Sequence, residues 1–166
     1  MQATHTYGDR MTRQKGFSLI ELLIVVAIIL IIAAIAIPNL MRSKMAANEA
    51  SAVASVRTLN TSSVTYSAVY GIGFPTGIDK LKPAAAATAA AADLIDNVLA
   101  SGTKSGYTFN LVGLAAVGGV VPGYSINANP VKQDTTGIRY FFSDQSAVIR
   151  QAIGGAATVA STPIGN

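Results

Sequence analysis

The chain has 166 residues, of which 51% are apolar and only 12% are charged, and its formal net charge is +4. It contains no cysteine and a single histidine, His5, which excludes a disulfide framework, a thiolate metal site and a Cys–His or Ser–His–Asp arrangement in the body of the chain. No glycine-rich piece carries the Lys-Ser/Thr of a phosphate loop, so we expect no enzyme activity, no cofactor, no metal centre and no small-molecule substrate.

Residues 1–16 are a basic stretch. Arg10, Arg13 and Lys15 against Asp9 contribute +2 of the total charge, and the +2 left for the remaining chain does not predict a nucleic-acid partner. Met11 to Gly16 would form a short leader by itself, so both Met1 and Met11 stay open as the translational start.

Residues 17–37 form an apolar segment that predicts a membrane helix. No residue from Leu22 to Ile37 is polar, and 21 helical residues span about 31 Å, which matches a hydrocarbon core of about 30 Å. The basic residues before the segment favour a cytoplasmic N-terminus, with residues 39–166 on the outer side.

Three interpretations of this segment compete. Ala34-Ile35-Ala36 resembles a secretory cleavage site, although Pro38 follows it closely and the apolar run is long for such a signal. A plain single-pass anchor is the second interpretation. The third explains Glu21, a carboxylate about one turn into the apolar run, since charged groups inside a membrane are costly and normally mark a function.

Glu21 also has a purely structural explanation. Ser18-Leu19-Ile20-Glu21 fits a capping box, with Phe17 and Leu22 placed as a hydrophobic staple. The two explanations are compatible, because a free amine at Phe17 and the positive end of the helix would attract the same carboxylate.

The segment Lys15-Gly16-Phe17-Ser18-Leu19-Ile20-Glu21-Leu22-Leu23 resembles the processing signature of the type IV pilin family, over about residues 11–60. The resemblance implies that prepilin peptidase cuts between Gly16 and Phe17 and methylates the Phe17 amine. It also implies that Glu21 pairs with the Phe17 amine of a neighbouring subunit, and that Pro38 marks a helix break. The implied partners are identical subunits in a helical filament, prepilin peptidase and the inner-membrane pilus assembly machinery.

Beyond Pro38, the sequence predicts that the helix continues to about Tyr70 and stops at Gly71. Its apolar stripe recurs at three- and four-residue steps, typical of an amphipathic helix. The stripe consists of Met45, Ala52, Val56, Leu59, Ser63, Tyr66 and Tyr70. Arg42, Lys44 and Arg57 are expected at a solvated surface or opposite acids of neighbours.

Residues 72–166 predict a globular head. A loop reaches about Lys82, and Ala84 to Ala92 after Pro83 predicts the start of a helix, with a flexible linker as the alternative. Leu94, Ile95, Val98 and Leu99 would form its apolar face, and Gly102 would end it. Period-two alternation then predicts about four antiparallel strands, the last two forming a hairpin. The strands are centred on Tyr107–Leu111, Tyr124–Ile126, Ile138–Phe142 and Val148–Arg150. Asp134 and Asp144 are candidate Ca²⁺ ligands or plain turn residues.

The expected fold is therefore α+β, with a long N-terminal helix packed on a small antiparallel sheet. Its segments are a cleaved basic leader (1–16), a transmembrane and filament-core helix (17–38), the amphipathic second half of that helix (39–71) and the head (72–166). We expect a structural subunit of a type IV pilus, held in the inner membrane as a precursor and found in a surface filament after assembly. The alternatives are a type II secretion pseudopilin and a minor pilin or anchored protein for adhesion or DNA uptake.

Overall fold

The computed structural model describes residues 16–165, so the basic stretch that holds Arg10, Arg13 and Lys15 lies outside the described residues. The chain forms two compact units, one ending at Asn39 and the other running from Leu40 to the C-terminus. One helix, α1 (Leu19–Tyr70), contributes to both. We call the second unit the head unit.

Pro38 lies inside α1, and the residues on both sides of it are helical. Because proline lacks an N–H group, one hydrogen bond of the helix cannot form there. The side chain of the next residue, Asn39, donates to the carbonyl of Ile35 at 3.1 Å. The helical backbone is thus continuous at this point, and a functional break at Pro38 stays a prediction.

The sheet of the head unit is an antiparallel meander of six strands in the order β1 to β6. The strands are β1 (Thr103–Lys104), β2 (Tyr107–Gly113), β3 (Tyr124–Pro130), β4 (Arg139–Asp144), β5 (Arg150–Ile153) and β6 (Thr162–Pro163). The four longer strands confirm the predicted sheet, and β4 and β5 form the predicted hairpin. The two additional strands have two residues each, too short to leave a periodic pattern in the sequence.

The amphipathic stripe of α1 is confirmed as the helical side of the core. Ala52, Val56, Leu59, Ser63 and Tyr66 are all buried. The helix ends at Tyr70 as predicted, and Gly71 follows with φ +66°, the left-handed conformation that glycine adopts at helix C-termini. The hydrophobic effect therefore places one stripe of this helix against the sheet.

The helix predicted to start in Ala84–Ala92 and to end at Gly102 is wrong at its start and forms only near its end. Thr88 and Ala91 exchange backbone hydrogen bonds of 2.9 and 3.0 Å, and the Ala92 N–H donates to the carbonyl of Lys80 at 2.8 Å. The helix α2 instead spans Asn97–Ala100, where Asp96 caps it by accepting from Leu99 N at 2.7 Å. An alanine run of this length is marginal as an isolated helix, and hydrogen bonds to the rest of the head unit determine its conformation.

The buried face of β4 holds one aromatic and one polar residue. Phe141 and Ser143 are fully buried, whereas Tyr140 and Phe142 are only half-buried. Phe141 packs on Tyr107 at 5.9 Å between ring centroids, and Ser143 accepts a buried hydrogen bond from Asn60. Because aromatic residues lie on both faces of this strand, the sequence alone does not show which face is buried. The polar contacts with α1 determine it.

Glu49 is the strongest polar connection between α1 and the sheet. Its carboxylate accepts hydrogen bonds from the backbone N–H groups of Ile138 (2.8 Å) and Arg139 (3.0 Å), and from Arg139 Nε at 2.7 Å. Its side chain is 9% exposed, against 39% for Arg139. Burial raises the pKa of Glu49, but the two backbone hydrogen bonds and the guanidinium outweigh it and leave the pKa lowered.

A second polar connection is a buried chain of hydrogen bonds. The Tyr124 hydroxyl donates to Asn60 Oδ1 at 3.1 Å, Asn60 Nδ2 donates to Ser143 Oγ at 2.9 Å, and Ser143 Oγ donates to the carbonyl of Val148 at 3.2 Å. Burial raises the pKa of Tyr124 to about 12, so its hydroxyl stays a neutral donor. This chain fixes α1 against β3 and β4.

We predict that Glu49→Ala lowers the free energy of unfolding of the head unit by about 2 kcal/mol at pH 7, because it leaves two part-buried backbone N–H groups and the Arg139 guanidinium without their acceptor. A lowered folded-state pKa gives a contribution that is present above the unfolded pKa and is lost as the pH falls through the folded pKa. The difference in the free energy of unfolding between the variant and the wild type should therefore become smaller below about pH 4.

Urea denaturation of the full chain in detergent, followed by circular dichroism at pH 7 and pH 3, measures this effect. Asp134→Asn is the matched control, since Asp134 is exposed and joins no ion pair within residues 16–165. An equal loss of stability for Glu49→Ala at both pH values would contradict the assigned charge interaction.

Candidate processing and assembly site

The predicted cleavage junction lies immediately before α1. Gly16, Phe17 and Ser18 have no regular secondary structure and are exposed, with Phe17 at 87%. A Cβ atom added to Gly16 would meet nothing within 4 Å. Packing within the described chain therefore does not require glycine here, and the backbone on both sides of the Gly16–Phe17 bond is open to solvent.

The first turn of α1 is closed by a capping box, as the sequence predicts. The backbone N–H of Ser18 donates to Glu21 Oε2 at 2.9 Å, and Ser18 Oγ accepts from the N–H of Ile20 at 3.3 Å. The carbonyl of Ser18 accepts the first helical hydrogen bond, from Leu22 N at 3.2 Å. The box satisfies donors that an uncapped helix leaves unpaired.

Glu21 keeps capacity for a further partner. Its side chain is exposed, and within residues 16–165 it makes no ion pair. The capping bond uses only one carboxylate oxygen. A carboxylate accepts several hydrogen bonds, so the cap leaves room for a cation without breaking the helix start.

The apolar side chains from Leu19 to Ile37 are exposed all around the helix. The large ones among them are between 44% and 73% exposed. In the described part of the chain, α1 is the one helix long and apolar enough to cross a membrane. An apolar surface this large requires cover by lipid or by other protein.

Comparison with known proteins locates the similarity at this end of the chain. Residues 11–37 match the family model described as the prokaryotic N-terminal methylation motif. The N-terminal segment is a prepilin methylation motif. It includes Gly16, Phe17 and Glu21, which the structure places within the first turn of α1 and the residues just before it.

Two relatives share this region. The type IV wide pilus major component PilA4 of Thermus thermophilus is 59% identical over 39 residues, which cover 24% of this chain and 30% of the relative. Type II secretion system core protein G of Pectobacterium carotovorum is 35% identical over 57 residues, which cover 34% of this chain and 36% of the relative. The similar regions thus span about a third of the length of these relatives, and no solved structure matches the chain. The similarity is confined to the N-terminal region, where this chain resembles a type IV pilus component and a type II secretion core protein.

The structure brings together three of the four residues singled out from the sequence. Gly16, Phe17 and Glu21 lie at one end of α1, whereas Pro38 lies about five helical turns further along. Sequence reasoning missed Glu49 as a structural residue. Its position four residues after Met45 and three before Ala52 places it within the apolar stripe, and a lone acid in such a stripe is the signal that would have identified it.

The candidate Ca²⁺ ligands have a local explanation. Asp144 Oδ1 accepts hydrogen bonds from the backbone and side chain of Ser146 in the turn after β4. No group of three or more His, Cys, Asp or Glu within the described residues could hold a metal ion. The turn role of Asp144 follows from these contacts, and Ca²⁺ binding has no support in them.

We predict that Ser18→Ala weakens the first turn of α1 by about 1 kcal/mol, because it removes the side-chain acceptor of the cap. Amide hydrogen exchange of the full chain in micelles should show faster exchange at Ile20 and the next residues. Glu21→Gln keeps a side-chain carbonyl for the Ser18 N–H and should change this exchange less. Equal exchange in Ser18→Ala and wild type would show that this end of the helix is not held by the cap.

Proposed function

We propose that this protein is a structural subunit of a type IV pilus, stored in the inner membrane and assembled through its N-terminal helix. The observation that carries the proposal is the combination at the start of α1. The apolar segment follows directly after an exposed Gly16–Phe17 junction and a capped helix start. The Glu21 carboxylate in that first turn can accept a further partner. A plain anchor uses the apolar segment and Glu21 as a helix cap, but it has no use for a second, cationic partner of that carboxylate.

The proposed mechanism begins with the precursor in the membrane. Prepilin peptidase hydrolyses the Gly16–Phe17 peptide bond, which frees the Phe17 amine, and then transfers a methyl group from a methyl donor to that nitrogen. The freed amine is protonated with or without the methyl group, so cleavage adds a positive charge next to the capped turn. The amine of one subunit then pairs with the Glu21 carboxylate of its neighbour. A carboxylate inside an apolar filament core is tolerable only when such a partner compensates its charge.

The apolar segment serves twice in this mechanism. Lipid covers it in the stored precursor, and the same segments of neighbouring subunits cover it in the filament. The core of the head unit is formed by the second half of α1, the sheet and residues 81–99, so the head unit does not need that segment for its own stability. Extraction from the membrane can therefore leave the head unit folded.

A pseudopilin of a type II secretion system is the second candidate, supported by the similarity to core protein G. Both candidate functions include the same processing and assembly. They differ in whether the filament extends from the cell surface or remains within the envelope. Shearing of cells separates them, since a major pilin is abundant in the sheared filament fraction and a pseudopilin remains in the envelope. A minor pilin would be present in the sheared fraction in small amounts.

We predict that the mature protein begins with N-methylated Phe17. Gly16→Ala should leave the fold unchanged, because an added methyl group meets open space, but it should prevent cleavage if the peptidase requires glycine. Intact-mass and N-terminal peptide analysis measure both. Gly155→Ala is the matched control, as it also adds a methyl group to open space, and it should be processed normally.

Other mature N-termini would contradict this processing. A mature start at Ile37 would favour a secretory signal, and a retained leader in the wild type would favour a plain anchor. Normal cleavage of Gly16→Ala would show that the residue before the cut is not recognised.

We predict that Glu21→Ala permits membrane insertion and processing but abolishes or shortens filaments. Removing an embedded acid does not hinder insertion, and the loss of the cap contributes only about 0.5–2 kcal/mol. Ser18→Ala is the matched control, since it weakens the same cap and keeps the charge. Processed subunit in the membrane fraction and filaments in the sheared fraction are the two measurements.

The Glu21→Gln variant separates charge from hydrogen bonding. It retains an acceptor for the Ser18 N–H but cannot attract an amine by charge. Filaments of normal length from Glu21→Ala subunits alone would refute the pairing mechanism. Normal assembly of Glu21→Gln would show that a hydrogen bond is sufficient, and a loss of filaments in Ser18→Ala would assign the effect to the cap.

A further inference from the structure

Two cations follow the apolar segment closely and lack an acidic partner. Arg42 and Lys44 are exposed on α1. Three ion pairs occur within residues 16–165, and none includes either cation. Glu49, the next acid along the helix, is buried and already bound to Arg139. Two exposed positive charges, separated by Ser43, therefore have no acidic ion-pair partner within residues 16–165.

Chain geometry places these cations near the membrane surface. Arg42 is five residues and Lys44 seven residues beyond Ile37, the last residue of the apolar run. In a helix these separations are about 7.5 and 10.5 Å. The headgroup region extends about 5–8 Å beyond each side of the hydrocarbon core, and long basic side chains reach back toward it with their stems on apolar surface.

We propose that Arg42 and Lys44 bind the phosphate groups of anionic lipids in the leaflet that faces the head unit. The proposal rests on the proposed function, since it requires the precursor to be stored in a membrane. A guanidinium binds phosphate through two parallel hydrogen bonds and an ammonium binds it as a point charge. These two contacts determine how deep the stored subunit lies in the bilayer, and extraction into a filament has to break them.

Lipid phosphate fits these cations better than an acid on a second copy of the chain. Several acids of the head unit are already engaged: Glu49 with Arg139, Asp96 with Lys104, Asp79 with Lys80 and Asp144 with Ser146. Lipid phosphates, in contrast, are present at the level of Arg42 and Lys44 before any assembly begins. A monomeric precursor can use them without a partner chain.

The test measures lipid selectivity of the full chain in phosphatidylcholine bilayers that contain traces of spin-labelled phosphatidylglycerol or phosphatidylcholine. Electron paramagnetic resonance gives the relative affinity of the two labelled lipids for the protein. Because the leader also carries cations, all variants are made in the Arg10→Gln, Arg13→Gln, Lys15→Gln background. Both labelled lipids carry a phosphate, but only that of phosphatidylcholine is neutralised by a choline cation. Because charge-assisted hydrogen bonds to phosphate are the strong ones, we expect a clear preference for phosphatidylglycerol.

The variant Arg42→Gln, Lys44→Gln should lose that preference, and about 1 M salt should suppress it in the parent chain by shortening the Debye length to about 3 Å. The matched control, Lys82→Gln, Lys132→Gln, removes the same charge from two exposed positions of the head unit and should keep the preference. The charge-preserving swap Arg42→Lys, Lys44→Arg should keep it as well.

An unchanged preference in Arg42→Gln, Lys44→Gln would overturn the proposal, as would an equal loss in the Lys82 and Lys132 control. A preference that changes with the protein-to-lipid ratio would assign the cations to an acid of a second copy and also overturn it. Failure of the parent chain to resist carbonate extraction from the vesicles would instead refute membrane storage. The two failures are thus distinguishable.

Discussion

The uncovered apolar surface of the first half of α1 is the constraint on which the rest of the molecule depends. Water cannot solvate a helix that is apolar on every side without a large cost in free energy, and the described chain buries none of it. Within the proposed function, lipid covers this surface in the precursor and neighbouring subunits cover it in the filament. The head unit therefore has to be stable by itself, with a core that begins only at the buried stripe around Ala52.

Polar contacts spaced along the second half of α1 provide much of the specificity of that core. Glu49 binds the start of β4, Asn60 connects to β3 and β4, and the Tyr66 hydroxyl donates to the carbonyl of Ala89 at 2.7 Å. Each contact joins the helix to a different part of the head unit. In a chain without cysteine, these buried and geometrically demanding interactions fix the register of helix against sheet, which apolar packing alone specifies loosely.

The sequence predicted what depends on periodicity and local chemistry. The helix end at Tyr70, its buried stripe, the capping box at Ser18 and the four longer strands all follow from patterns within a few residues. The features that the sequence did not predict depend on contacts between residues that are distant in sequence. The Ala84–Ala92 segment is held by hydrogen bonds with Lys80 and Tyr66. The buried face of β4 contacts Asn60 and Tyr107. Glu49 has its structural role only through Ile138, 89 residues later in the chain. The position of the candidate site could be predicted because the site is a continuous segment of sequence. The proposed partner of Glu21 belongs to a second subunit, so the structure of one chain does not contain it.

Within the proposed function, cleavage acts as an electrostatic switch at the start of α1. Before cleavage, Phe17 contributes an uncharged amide, and the carboxylate of Glu21 is stabilised by the Ser18 N–H and the positive end of the helix. After cleavage, the Phe17 amine adds a full positive charge at the same end of every subunit. Each subunit then carries one cation and one anion within two turns of an otherwise apolar helix, and neither is favourable alone in a low-dielectric core. Stacking subunits with an axial offset lets the amine of one helix meet the carboxylate of the next, which makes a repeated head-to-tail contact of the kind that generates filaments. A subunit whose charges were unpaired would be unfavourable in the filament core. The same residue pair therefore favours assembly and fixes the axial register between neighbouring subunits.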